Sequence, residues 1–179
     1  MFEIGLIAVV GLGCASVVWF TITIGISPMP SSAKAKRAIL SASEAAGDGT
    51  IIDLGSGWGG LVFALARKYP ERPVIGYELS WLPWAYSHLY KIFYRLHNVE
   101  IRRQNFLMAD ISKASLLVCY LFPEGMMKLQ KKLAEEPCSG VTLISSTFAL
   151  PEHEPIDTIR LGDLYHTPIY IYSGFQNLE

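Results

Sequence analysis

The sequence lacks an excess of charge of either sign. Among its 179 residues, 15 are Lys or Arg and 16 are Asp or Glu, which gives a formal net charge of −1. Proteins that bind nucleic acid through its phosphates normally carry a basic stripe, and none is present here. We therefore expect no nucleic-acid partner.

Cysteine and histidine are also scarce. Cys14, Cys119 and Cys138 do not form a disulfide framework, so we expect reduced, structural thiols. The four histidines do not have the spacing of metal ligands, and we predict no metal site. They are His88, His97, His153 and His166.

One hydrophobic run is long. Residues 4–26 are 23 residues without a charge, enough for a helix to cross about 30 Å of hydrocarbon. The nearest basic residues follow the run, so the positive-inside rule places the N-terminus outside and the remainder in the cytoplasm. A cleaved signal peptide is the alternative, but it would have a basic start and a shorter apolar core. We predict a single-pass membrane anchor at 1–27 and a domain at 28–179.

A glycine-rich turn is the most informative motif. Residues 51–60 read Ile-Ile-Asp-Leu-Gly-Ser-Gly-Trp-Gly-Gly, and a second apolar strand ends in Glu78. A strand, a glycine turn and a helix together present free backbone N–H groups at the helix N-terminus. An acid at the end of the next strand can accept both hydroxyls of a ribose. The pattern predicts a site for a nucleoside-bearing cofactor.

Two cofactor classes match these glycines. Gly55, Gly57 and Gly59 fit the G-x-G-x-G of S-adenosylmethionine (SAM) sites, and Gly60 in third place fits the dinucleotide G-x-G-x-x-G. SAM is favoured because Asp53 would accommodate its cationic sulfonium and ammonium but would repel a pyrophosphate. No basic residue within the turn is available for phosphates. A nicotinamide reductase is the alternative.

Strand and helix patterns alternate along the chain. We predict strands at 51–54, 73–78, 99–103, 116–121 and 141–148, with helices at 32–46, 61–69, 82–96 and 124–135. Residues 158–161 and 169–172 are typical of a terminal antiparallel pair. This order predicts an α/β fold, a Rossmann-like sheet with a C-terminal antiparallel hairpin, preceded by one transmembrane helix.

Ligands of such sheets lie beyond the carboxyl ends of the strands, which nominates further residues. Trp81 could pack on the adenine, or it could be a core or interfacial aromatic. Asn105 could donate to and accept from the adenine edge, or it could merely end a strand. The candidate cofactor-binding residues are Asp53, Gly55, Ser56, Gly57, Gly59, Glu78, Leu79, Trp81, Asn105 and Tyr120.

The candidate catalytic residues are Phe122, Pro123 and His153. Phe122 follows the fourth strand and could line an apolar channel that desolvates an amine and favours its neutral form; core packing is the alternative. His153, between Glu152 and Glu154, could accept a proton, although a solvated loop would have the same composition. Methyl transfer from a sulfonium depends mainly on positioning, so a general base is not required.

These motifs resemble the small membrane-anchored class I SAM-dependent methyltransferases of one family. That family includes the mitochondrial lysine methyltransferases of the adenine nucleotide translocase and the ATP synthase c-subunit. The matching stretches are Pro28-Met-Pro30, Asp53-Leu-Gly-Ser-Gly57, Gly76-Tyr-Glu-Leu-Ser80, Asn105-Phe106, Asp110-Ile-Ser112, Tyr120-Leu-Phe-Pro123 and Phe148-Ala-Leu-Pro151. Mitochondrial members have Gly-Asp-Gly-Arg where this chain has Gly57-Trp-Gly-Gly60.

The resemblance implies a SAM-dependent methyltransferase. Its expected substrate is a lysine or other amine of a membrane-associated protein. The predicted tether would equally suit a lipid or quinone methyltransferase. A non-catalytic, nucleotide-binding membrane module is a further alternative.

Overall fold

Strands and helices alternate along the part of the chain that the computed structural model describes, residues 32–136, 138 and 140–175. The strands are β1 (Thr50–Asp53), β2 (Val74–Tyr77), β3 (Val99–Arg102), β4 (Ala114–Cys119), β5 (Thr142–Ser146), β6 (Asp157–Arg160) and β7 (Pro168–Ser173). The helices are α1 (Ala33–Ala42), α2 (Gly60–Lys68), α3 (Trp81–Phe93) and α4 (Pro123–Glu135). Short 3₁₀ turns occupy Ser43–Ala45 and Phe106–Met108.

These strands form one seven-stranded sheet in the order β3-β2-β1-β4-β5-β7-β6. The first five strands are parallel, whereas β7 runs antiparallel between β5 and β6. The register sets Asp53, the last residue of β1, beside Gly76 of β2 and Val118 of β4. The ends of these three neighbouring strands therefore meet at one edge of the sheet, which we call the carboxyl edge. The predicted α/β sheet with C-terminal antiparallel strands is confirmed.

Helices cover both faces of the sheet. Helices α1, α2 and α3 share one apolar core with inward residues such as Ile51 and Val118, and α4 packs through Met126 and Leu129 on the other face. This explains why β4 is apolar from Leu116 to Cys119: its Leu117 contributes to the second core while Leu116 and Val118 contribute to the first.

The first helix and the fifth strand end earlier than the sequence predicts. The first helix is capped as expected, since the Ser32 Oγ accepts a hydrogen bond from the Ala35 N–H at 3.1 Å, but it tightens into the 3₁₀ turn after Ala42. Strand β5 ends at Ser146 and not at residue 148, because Thr147 has a positive φ of 74° that no strand accommodates.

The predicted single-pass membrane localisation is corrected here. Across residues 32–136, 138 and 140–175, the structure contains no helix with the length and apolar character needed to cross a bilayer. The run at 4–26, on which the prediction depended, lies outside the described residues.

Candidate active site

Three glycines shape the turn that follows β1. Gly55, Gly57 and Gly59 have φ angles of 142°, 51° and 75°, which L side chains rarely adopt. A Cβ on Gly59 would also lie 2.6 Å from the ring of Phe63, so a side chain there would force Phe63 to move. The turn leads directly into α2, which begins at Gly60. The conformation of this loop therefore favours glycine for two reasons, the positive φ angles and the lack of space for a side chain.

Glu78 lies against this loop from just beyond β2. Its Oε2 accepts a hydrogen bond from the Gly57 N–H at 2.8 Å, and its Oε1 accepts one from the Ser80 N–H at 2.6 Å. The side chain is buried. Because an ionised carboxylate has about four acceptor positions, Glu78 retains capacity for the hydroxyls of a ribose while it holds the loop.

Asp53 is the second buried carboxyl group at the carboxyl edge. Its residue is only 4% exposed. Burial, followed by the negative charge of Glu78, raises the pKa of Asp53 from 3.8 to about 8. A carboxyl group in this environment is stabilised in its ionised form by a nearby cation, so the position suits a ligand that carries positive charge.

The other cofactor candidates differ in their surroundings. Ser56 donates its backbone N–H to the Tyr77 carbonyl at 2.8 Å, and its buried Oγ has no hydrogen-bond partner among the described residues. Leu79 and Trp81 are 40% and 53% exposed at the start of α3. Asn105 caps the 3₁₀ turn after β3, its Oδ1 accepting from the Leu107 N–H at 3.0 Å. Ser56 thus links the glycine turn to β2 through its backbone.

An aromatic cluster lies beyond the ends of β4 and β5. The ring of Phe148 lies 6.1 Å from that of Tyr120 and 5.5 Å from that of Phe122, measured between centroids. Phe122 is the N-cap of α4 and is 46% exposed, and Pro123 is the first residue of that helix. The structure therefore brings two predicted residues, Tyr120 and Phe122, together with Phe148, which is not among the cofactor-binding or catalytic candidates named from the sequence. Pro123 holds the start of the helix beside them.

A strained turn places Phe148 in this cluster. The Phe148 N–H donates to the Ser146 carbonyl at 2.9 Å across Thr147, whose φ is 74°. This is the pattern of a γ-turn with positive φ, a rare conformation that is costly for a β-branched residue. The Ser145 Oγ also donates to the Phe148 carbonyl at 2.6 Å. An aromatic residue directly after a strand was a usable signal for Phe148, but nothing local marks Thr147.

His153 lies away from this cluster. Its ring packs on Phe175 at 5.5 Å, and Phe175 follows β7, whose last residue, Ser173, pairs with the first residue of β5. The contact is thus at the opposite end of β5 from Phe148. The neighbouring loop is held to α4, since the Glu152 N–H donates to the Gln130 Oε1 at 2.9 Å. The structure does not bring the predicted proton acceptor together with Phe122.

The hydrogen-bonding groups at the carboxyl edge of the sheet fit SAM. Two buried carboxyl groups, Asp53 and Glu78, flank a loop made without side chains at Gly55, Gly57 and Gly59. No cationic side chain lies between residues 53 and 60. Such a site can accept hydrogen bonds from hydroxyl and ammonium groups, and it offers no side-chain charge to a pyrophosphate.

Comparison with known proteins decides the family. The model for the ANTKMT methyltransferase domain matches residues 53–157, which contain the glycine turn, Glu78 and the aromatic cluster. The chain belongs to the ANTKMT methyltransferase family. It is a SAM-dependent methyltransferase, and the predictions of family, enzyme class and cofactor are confirmed.

Relatives of known activity match different shares of the chain. A protein-lysine N-methyltransferase of Saccharolobus islandicus is 25% identical, over 80% of this chain and 91% of that protein. The mouse lysine N-methyltransferase of the ATP synthase c-subunit is 32% identical, over 64% of this chain and 46% of that protein. This chain therefore spans about half the length of the mouse relative.

The fold of this ANTKMT family member recurs in solved methyltransferases. An RNA methyltransferase from Salinibacter ruber, in complex with S-adenosyl-L-homocysteine, superposes with a TM-score of 0.72 at 25% identity. The match covers 80% of this chain and 92% of that one. S-adenosyl-L-homocysteine is SAM without its methyl group, so this complex agrees with the acceptor groups described above.

Proposed function

We propose that this protein is a protein-lysine N-methyltransferase. The named activities of the archaeal and mouse relatives support a lysine acceptor. The structural observation that carries the proposal is the cluster of Tyr120, Phe122 and Phe148. It lies beyond the end of β4, which neighbours β1, and the end of β5, which neighbours β4. Aromatic rings at this position suit the aliphatic stem of a lysine.

We assign cofactor binding to the carboxyl edge. In this proposal the Glu78 carboxylate accepts the ribose hydroxyls and Asp53 faces the positive charge of the methionine portion. The glycine turn supplies close backbone approach, and Leu79, Trp81 and Asn105 surround the adenine. Bound SAM supplies a methyl group that is already activated by the sulfonium, so the protein contributes mainly positioning.

The aromatic cluster prepares the acceptor amine. A lysine must lose its proton before it can act as a nucleophile. Phe122 and Phe148 remove water from the amine and so lower its pKa, which favours the neutral form. The proton can leave to solvent before the lysine is enclosed. His153 has no part in this proposal because it lies toward the other end of β5.

Charge favours a protein acceptor over RNA, although one structural neighbour is an RNA methyltransferase. The net charge of −1 and the absence of a basic stripe provide little attraction for a phosphate backbone. A lysine-bearing protein does not need a basic enzyme surface in order to bind.

Label transfer from methyl-tritiated SAM tests the proposal. Purified enzyme is added to an extract of cells that lack it, and the products are separated into protein, RNA and solvent-soluble fractions. We expect label in protein, recovered as methyl-lysine after acid hydrolysis, and little label with the Glu78→Ala variant. Label confined to RNA or to the solvent-soluble fraction would refute the lysine assignment.

A further inference from the structure

The hairpin that joins β6 to β7 projects from the carboxyl edge. Strand β6 ends at Arg160, which pairs with Pro168, and the next residue, Ile169, pairs with Ser146 at the end of β5. The connecting residues, 161–167, therefore lie at the same end of the sheet as the aromatic cluster. Any protein that reaches Phe148 must approach this edge.

Internal hydrogen bonds order this loop. The Leu161 N–H donates to the Thr167 carbonyl at 3.0 Å. The Asp163 carboxylate accepts from the Thr167 N–H at 2.8 Å and from its Oγ1 at 2.7 Å. The Lys34 Nζ, from the start of α1, donates to the Gly162 carbonyl. The tip of the hairpin is thus an ordered loop that is hydrogen-bonded to α1.

This ordered tip presents two large apolar side chains to solvent. Leu164 is 86% exposed and the adjacent Tyr165 is 85% exposed. A single exposed apolar residue needs no explanation, but two neighbours held outward by a braced loop form a contact surface. A tyrosine also gives a large contact area with little loss of side-chain freedom. Asp163, the acidic side chain of this loop, is held by its hydrogen bonds to Thr167 and takes no part in the apolar pair.

The hairpin is directly connected to the candidate acceptor site. The Thr147 N–H donates to the Pro168 carbonyl at 2.8 Å, which joins the base of the hairpin to the turn that positions Phe148. The turn that carries Phe148 and the base of the hairpin are therefore adjacent, at the same end of the sheet as the exposed Phe122. A protein that presents a residue to the aromatic cluster approaches from the end of the sheet at which the hairpin tip lies.

We propose that Leu164 and Tyr165 dock the protein substrate, by binding an apolar segment next to the acceptor lysine. This inference rests on the proposed function, because it takes a lysine-bearing protein as the occupant. The aromatic cluster receives the lysine, and the hairpin tip selects which lysine is presented. Leu164 and Tyr165 are specificity-determining residues and take no part in cofactor binding.

Peptide binding measures this docking apart from catalysis. Two fluorescent peptides are compared in the presence of S-adenosylhomocysteine: one has a central lysine flanked by leucine and phenylalanine, the other has the same lysine flanked by serine and glutamine. Fluorescence anisotropy gives the Kd of each peptide for the wild type and for Leu164→Ser/Tyr165→Ser. The matched control is Leu89→Ser/Phe93→Ser, which removes two residues of similar exposure, 66% and 80%, from the outer face of α3.

We expect the wild type to bind the apolar peptide about tenfold more tightly than the polar one, with this preference lost in the hairpin variant and kept in the control. Equal binding of the two peptides by the wild type, or an unchanged preference in the hairpin variant, would overturn the docking proposal. Methyl transfer to the peptides is assayed separately. A hairpin-dependent preference without any methyl transfer to lysine would leave docking intact and count against the proposed activity alone.

Discussion

At the scale of single residues, Glu78 joins an observed structural role to a proposed role in binding. Its carboxylate holds the glycine turn through the Gly57 N–H and fixes the start of α3 through the Ser80 N–H. The same oxygens are the proposed acceptors for the ribose. Loss of this side chain should therefore affect both the loop and the ligand.

We expect Glu78→Ala to weaken SAM binding by about 1.5–3 kcal/mol for each hydrogen bond lost to the charged group. The melting temperature of the cofactor-free protein should also fall, because two buried backbone N–H groups lose their acceptor. Calorimetric titration and thermal unfolding measure the two effects. Glu78→Gln is the control, since it keeps a carbonyl acceptor and should be intermediate. A wild-type affinity in Glu78→Ala would refute the ribose assignment.

Asp53 should make stability depend on pH. Its pKa is about 8 in the folded protein and 3.8 by the reference value, so the folded state binds more protons than the unfolded state between these pH values. The free energy of unfolding should therefore fall as pH rises through this window, by at most about 1.4 kcal/mol per pH unit from this group. Asp53→Asn should lack this component.

Urea denaturation of wild type and Asp53→Asn from pH 4 to pH 8 tests the expectation. The difference in unfolding free energy, wild type minus variant, should decrease steadily over this range. Parallel pH profiles would show that Asp53 ionises normally in the folded protein.

At the scale of elements, the turn between β1 and α2 needs glycine for two separable reasons. Gly59 and Gly140 have nearly the same φ, 75° and 78°. A Cβ on Gly59 would lie 2.6 Å from the Phe63 ring and 2.9 Å from the Ser87 Oγ. Among the described residues beyond its chain neighbours, none has an atom within 4 Å of a Cβ on Gly140. The pair separates the cost of backbone conformation from the cost of overlap.

Gly140→Ala should destabilise the protein by about 1–2 kcal/mol, the cost of a left-handed alanine. Gly59→Ala should cost more, because Phe63 and Ser87 must also shift, and it should weaken SAM binding by disturbing the turn. Chemical denaturation and calorimetric titration of both variants provide the comparison. Equal destabilisation with unchanged SAM affinity would mean that the helix accommodates the methyl group freely.

Sequence patterns located most of these elements, and the exceptions have local physical causes. The apolar runs and the glycine turn predicted β1 to β5 to within a few residues, since burial on both faces leaves a clear pattern. The end of β5 was missed because Thr147 is a favourable strand residue that the structure holds at positive φ. The Thr147 N–H donates to the Pro168 carbonyl, and these residues are far apart in the chain, so no local sequence pattern could predict this hydrogen bond.

At the scale of the whole molecule, β7 completes the sheet. It covers the edge of β5 and buries Ile169 and Tyr172, and the Tyr172 hydroxyl accepts a hydrogen bond from the Leu150 N–H at 2.9 Å. A truncation after Leu161 would remove β7. Strand β5 would then be an unpaired edge strand beside the largely apolar β4. The loop after β5 would also lose its attachment to the sheet.

We expect this truncation to aggregate and to lose cooperative thermal unfolding. Size-exclusion chromatography and circular dichroism of the purified fragment, beside the full chain, test the expectation. Ile159→Ser on the outer strand β6 is the comparison variant and should elute like the full chain, because β7 still covers β5. A monomeric truncated protein that unfolds at the wild-type temperature would show that β7 is dispensable.

The sequence by itself determined the alternating α/β order, the glycine turn and the acid after the second strand, and with them the SAM cofactor. These depend on short-range patterns: burial repeats, the backbone freedom of glycine and the order of residues along one strand–turn–helix unit. The tertiary structure decided that Phe148 joins Tyr120 and Phe122, that His153 lies toward the other end of β5, and that the β6–β7 hairpin shares the edge of the site. These relations depend on the insertion of β7 and on a strained turn at Thr147, which bring together residues that are distant in the chain and leave no periodic signal within it.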